Sequence, residues 1–103
     1  MTALTPIPIP KDELAAFCRR SGIRKLSLFG SILTDRFSDN SDIDMLVEFL
    51  PDQRISLLDI ARLERELADL LGGRKVDLRT PSELSDCFRG KVMRTAAVQY
   101  DAE

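Results

Sequence analysis

The sequence predicts an α/β (α+β) domain, a small mixed β-sheet with helices packed on it. Three observations lead there. Short apolar runs at Lys25–Phe29, Asp42–Phe49 and Arg74–Arg79 have the length and composition of strands. The segments around them place apolar residues three and four apart, as helices do. Gly22, Pro51-Asp52 and Gly72-Gly73 punctuate the boundaries.

Taken in order, Met1 to Pro10 carries Pro6, Pro8 and Pro10 and is expected to be extended, leaving residues 11–103 as one domain. Pro10 suits the first turn of a helix running to about Arg20, with Leu14, Phe17 and Cys18 on one side and Gly22 as its stop. Ser31 to about Phe37 is expected to be a short helix that starts at the Gly30-Ser31 turn. Ser56 and Asp59 read as a capping box. Behind them, Leu57, Ile60, Leu63, Leu67, Leu70 and Leu71 form an apolar stripe. Arg62, Glu64, Arg65, Glu66 and Asp69 fall mostly on the wet side. After the third strand, Pro81 to about Phe88 reads as a short helix. Lys91–Tyr100 reads as either a helix or a helix–strand piece.

At 103 residues there is room for one modest core, which for this size buries about two-thirds of the unfolded surface. A net charge of −2 lacks the basic excess of a sequence-independent nucleic-acid binder. With no histidine, imidazole general-base catalysis is excluded. Cys18 and Cys87 are too few for a disulfide scaffold and read as reduced thiols of a cytoplasmic protein. No apolar run approaches the ~20 residues of a membrane span, and the N-terminus lacks the pattern of a signal peptide.

The chemistry concentrates in Leu28-Phe29-Gly30-Ser31 and, after ten intervening residues, Asp42-Ile43-Asp44. Side chains at i and i+2 of a strand share a face. Asp42 and Asp44 therefore converge while Ile43 turns inward. Two converging carboxylates beside a glycine turn suit a hard divalent cation and the phosphates it carries, which points to phosphoryl or nucleotidyl transfer. Gly30 allows backbone to approach phosphate where a Cβ would intrude. Ser31 offers a hydroxyl and, at a helix N-terminus, backbone N–H groups. An Asp-x-Asp on its own is more simply a solvated strand start.

This pattern resembles the signature of the DNA polymerase β-type nucleotidyltransferase superfamily, and more narrowly of its minimal nucleotidyltransferase branch. The matching residues are Gly30, Ser31, Asp42 and Asp44, and the likeness spans roughly Arg19 to Tyr100. The resemblance implies the polymerase β palm-like fold, and a third carboxylate at Asp77 that shares two Mg²⁺ ions with Asp42 and Asp44 and serves as general base. It implies ATP as substrate. Relatives often carry arginine just after the Gly-Ser, whereas here Ile32, Leu33 and Thr34 intervene and Arg36 is the basic residue that follows. Arg36 is either a phosphate contact or part of a solvated helix face. Arg74 and Lys75 read as surface cations before triphosphate ligands.

Three functions follow from the resemblance. The first is a protein adenylyltransferase, the antitoxin of a pair, that moves AMP from ATP to a tyrosine of a HEPN-domain ribonuclease toxin. The second is an antitoxin that silences its partner by complex formation without catalysis. The third is the catalytic subunit of a two-chain transferase acting on a small molecule such as an antibiotic.

Overall fold

A computed structural model describes residues 8–34, 36–38 and 40–102. Residues 1–7 of the expected extended segment therefore lie outside the described residues. Three helices and four strands follow in the order α1 (Lys11–Arg20), β1 (Ile23–Phe29), β2 (Ile43–Phe49), α2 (Leu57–Leu70), β3 (Val76–Arg79), α3 (Asp86–Thr95) and β4 (Ala97–Asp101). The sheet order is β3-β2-β1-β4. The β1 strand runs antiparallel to both β2 and β4, and β2 pairs parallel with β3. That parallel pair needs a crossover, which α2 supplies.

Strand alternation divides the apolar residues between two faces. Ile43, Met45 and Val47 of β2 join Leu26 and Leu28 of β1 in a core closed by Leu14 and Phe17 of α1 and Leu63 and Leu67 of α2. On the other face Phe29 and Leu46 pack against Leu84 and Val92, so that α3 covers part of that surface. Asp44 belongs to this second face, at the end of β2 before Leu46.

The α2 cap forms as expected: Asp59 N–H donates to Ser56 Oγ at 3.2 Å, and Ser56 N–H donates to Asp59 Oδ2 at 3.0 Å. Two positions of the helix differ from expectation. Leu57, the first residue of the helix, stays outside the core and is 85% exposed. Glu64 is no wet-side residue. Its Oε2 accepts the N–H of Leu78 at 2.8 Å, satisfying a donor on the outer edge of β3.

The remaining differences concern short elements. The segment expected as a helix from Ser31 to Phe37 is a 3₁₀ turn over Gly30–Leu33, and Thr34 is already extended. Pro81 to Phe88 is not one helix. A 3₁₀ turn at Pro81–Glu83, capped by Thr80 and Glu83, is followed by a fresh start in which Ser85 caps α3. Two capping residues five positions apart, Thr80 and Ser85, break the helix where the apolar pattern alone reads as continuous. Lys91–Tyr100 divides at Ala96, because pairing with β1 outweighs the local helical pattern from Ala97 onward. Cys18 is buried in the main core and Cys87 is exposed, both free. Burial pushes the Cys18 thiol up to about 12, leaving an inert packing residue.

Removing packing and removing exposed surface should have very different costs on α2. Leu67→Ala, at a side chain with no exposure, should destabilise by about 2–5 kcal/mol. Leu57→Ser should stay within about 0.5 kcal/mol of the native chain. Urea denaturation of both variants checks the pair.

Candidate active site

The β2–β3 register sets Asp44 directly beside Asp77, and the β1–β2 register sets Asp44 opposite Phe29. Neighbouring strands lie about 4.8 Å apart. Asp44 and Asp77 are thus lateral neighbours on the face away from α1 and α2, both half-buried. Asp42 stands two residues before Asp44, just outside the strand, with its side chain 45% exposed. Asp44 and Asp77 therefore share one face at one end of the sheet, with Asp42 just beyond that end and near enough for its charge to act on Asp44.

Each outer carboxylate has a cation of its own. Lys75 Nζ lies 3.8 Å from Asp42 Oδ2, and an Arg79 guanidinium nitrogen lies 3.2 Å from Asp77 Oδ2. Asp44, between them, has no such partner among the described residues. Partial burial, then the charges of Asp77 and Asp42, raise its pKa above the usual carboxylate value, with Arg79 offsetting part of the effect. Among the described residues no three side chains close into a ready-made cation cage. The donor set nonetheless fits a hard divalent ion. It is all oxygen, it comes from two adjacent strands, and its like-charge repulsion is of the kind a bound cation relieves.

Gly30 is required by Asp44 itself. Its φ is +82°, and a Cβ placed there would stand 2.5 Å from Asp44 Oδ2. The close approach expected of phosphate is thus already made by the carboxylate. Ser31 stands in the four-residue 3₁₀ turn, too short to supply the aligned N–H groups expected of a helix. The Ser31 carbonyl accepts the Thr34 N–H at 2.9 Å and the Thr34 hydroxyl at 2.8 Å, which fixes the turn.

A profile described as "Polymerase beta, Nucleotidyltransferase" matches residues 12–103. The chain belongs to this nucleotidyltransferase family. A relative in Methanocaldococcus jannaschii, provisionally named as a protein adenylyltransferase, is 33% identical over 86 residues, covering 84% of this chain and 89% of its own. The protein adenylyltransferase MntA of Thermococcus cleftensis is 39% identical over 75 residues, covering 73% of each chain. Among solved structures, one described as a minimal nucleotidyltransferase aligns with a TM-score of 0.68 at 34% identity, over 84% of this chain and 85% of the other. A toxin–antitoxin structure with AMP-PNP aligns with a TM-score of 0.70 at 20% identity, over 89% of this chain and 73% of the other, and shares the fold.

Other residues shape this nucleotidyltransferase site from outside the motif. Arg74 reaches from the start of the β3 arm to the loop before Asp42. Its guanidinium donates to the carbonyls of Ser38 at 2.5 Å and Ser41 at 2.9 Å, and stacks 4.5 Å from the centre of the Phe37 ring. It clamps the backbone that delivers Asp42. Arg36 stays exposed on that loop, with its backbone N–H donating to Thr34 Oγ1, and no ion pair ties it to the carboxylates among the described residues. Sequence reasoning missed Arg79. The signal was present, since Arg79 is two residues beyond Asp77 on the same strand and must share its face.

Two stability measurements test this geometry. Asp44 carries a folded pKa above its unfolded value, so its contribution is favourable below the unfolded pKa and is lost as pH rises through the folded one. Asp44→Asn should therefore raise the urea midpoint at pH 7 in the absence of divalent metal. The gain should shrink as pH falls into the ordinary carboxylate range. Gly30→Ala should cost about 1–3 kcal/mol, from the left-handed φ and the contact with Asp44. In an Asp44→Ala background the cost should be smaller, because the nearest clashing atom is gone.

Proposed function

We propose that the chain is a Mg²⁺-dependent protein adenylyltransferase, the antitoxin of a toxin–antitoxin pair. It transfers AMP from ATP to a tyrosine of a HEPN-domain ribonuclease partner and so neutralises it. One observation carries this reading: in a nucleotidyltransferase fold, Asp44 stands laterally against Asp77 with Gly30 pressed onto its carboxylate. The names of the relatives give the acceptor class, a protein. The toxin–antitoxin structure with AMP-PNP supports both a toxin partner and an adenine nucleotide. The working unit is the single domain from residue 11 onward, acting in the cytoplasm. Among the described residues no helix is long and apolar enough to cross a membrane.

Asp42, Asp44 and Asp77 would hold the metal ions, which neutralise the triphosphate and lower the pKa of the attacking hydroxyl. Gly30 and Ser31 would carry the phosphates beside Asp44, with Arg36 as a further phosphate contact from the loop. In the transfer, the acceptor oxygen bonds to the α-phosphorus, the bond from that phosphorus to its bridging oxygen breaks, and pyrophosphate leaves. The hydroxyl proton passes to Asp77, whose Oδ2 is held by Arg79 and whose orientation is set by that contact. Lys75 and Arg79 pair with the outer carboxylates, at 3.8 Å from Asp42 and 3.2 Å from Asp77.

Calorimetric titration should show Mg²⁺-dependent ATP binding that is lost in Asp42→Ala/Asp44→Ala. Co-expression with the partner, followed by intact-mass spectrometry, should add the mass of one or more AMP groups to the partner with the native chain and none with the double variant. A partner silenced equally by both forms without modification would instead make the chain a binding antitoxin. Transfer to a small molecule in place of the partner would make it a two-chain transferase subunit.

A further inference from the structure

We infer that the cleft between the Gly30–Leu33 turn and α3 is the nucleoside pocket of this enzyme, with Phe88 as the surface for the base and Lys91 as the cation at the phosphates. The inference rests on the nucleotide-transfer reading above and goes on to place the non-reacting part of the substrate. The cleft holds about 420 Å³ and is lined by Phe29, Gly30, Leu33, Phe88, Lys91 and Val92, with Thr34 and Thr95 beside them. That volume is of the size that takes small organic ligands. Its walls come from both sides of the Gly-Ser turn, and Gly30 is common to the cleft and to the contact with Asp44. A triphosphate reaching Asp44 therefore has its nucleoside end within reach of this cleft.

The lining matches a base better than a phosphate. Phe88 is 46% exposed although its ring already meets that of Phe29, with centroids 6.4 Å apart at 69°. Leu33 across the cleft is 36% exposed. Two large apolar side chains facing one concavity offer flat contacts that every nucleobase can use. Lys91 is the cation in the lining. It is exposed and makes no ion pair among the described residues, so its charge is available to a polyanion. It enters from α3, in a chain whose Gly-Ser is followed by Ile32, Leu33 and Thr34.

The test compares binding of Mg²⁺–ATP with that of Mg²⁺–tripolyphosphate, which has no nucleoside, by calorimetry on the native chain and variants. Phe88→Ala should weaken ATP about five- to a hundredfold and leave tripolyphosphate unchanged. Phe88→Trp should hold ATP at least as well as the native chain. Lys91→Ala should weaken both ligands by up to about fivefold, an effect that fades at high salt. An unchanged ATP affinity in Phe88→Ala, or equal weakening of both ligands, overturns the nucleoside pocket. Unchanged ATP binding with slower transfer to the partner also overturns it and gives the cleft to the acceptor. The urea midpoint of Phe88→Ala verifies folding. In the same series, Asp42→Ala/Asp44→Ala should lose Mg²⁺-dependent binding of both ligands. If that variant binds both as well as the native chain, the carboxylate reading fails, a result separate from any outcome at Phe88.

Discussion

Ile43, Met45 and Val47 can be buried together only if Asp44 and Leu46 point to the opposite face, and the parallel pairing of β2 with β3 then sets Asp77 beside Asp44. Each buried aliphatic side chain contributes about 1.5–3 kcal/mol. Two unit charges 4 Å apart near a protein surface repel by about 4 kcal/mol. Burial of three residues on one strand outweighs that repulsion, and Arg79 and Lys75 reduce it further. The hydrophobic core thus holds two carboxylates together that would separate if left to themselves. That repulsion raises the Asp44 pKa, with partial burial as the larger cause.

The same constraint explains why the surroundings of the carboxylates are so closely specified. Asp44 can stand where it does only because residue 30 has no side chain and can adopt a left-handed backbone. Asp42 lies beyond the end of the strand, where the ladder no longer orients it. Arg74 takes over there, tying two carbonyls of the preceding loop to the start of β3. At the far edge Glu64 of α2 satisfies the Leu78 amide, which joins the crossover helix to the strand that carries Asp77. Every acidic residue of the site is therefore backed by a contact from a different part of the chain.

The two faces of the sheet divide the labour. One, covered by α1 and α2, supplies most of the buried apolar surface. The other is only partly covered, by Val92 of α3 and by Leu84 just before it, packed on Phe29 and Leu46. Incomplete cover leaves the carboxylates open to solvent and leaves a cleft beside Gly30.

Much of this was legible in the residues themselves. Strand alternation put Asp44 on the face opposite Ile43 and Ile43 in the core, whereas Asp42, expected in the strand, stands just before it. Proline, glycine and the Ser56–Asp59 pair marked α1 and α2 to within a residue or two, because caps and apolar periodicity are local properties of the chain. Three things depended on tertiary structure. The type of the last element was settled when β1 offered an edge that Ala97–Asp101 could pair with, a contact no local pattern encodes. The roles of Arg74, Arg79 and Glu64 arose from partners distant in sequence or across the sheet. The reason for Gly30 changed as well. Its sequence position announced a close approach, but only the β1–β2 register shows that the approaching group is the carboxylate of Asp44. Local sequence sets which way a side chain points, and the register between strands sets what it meets.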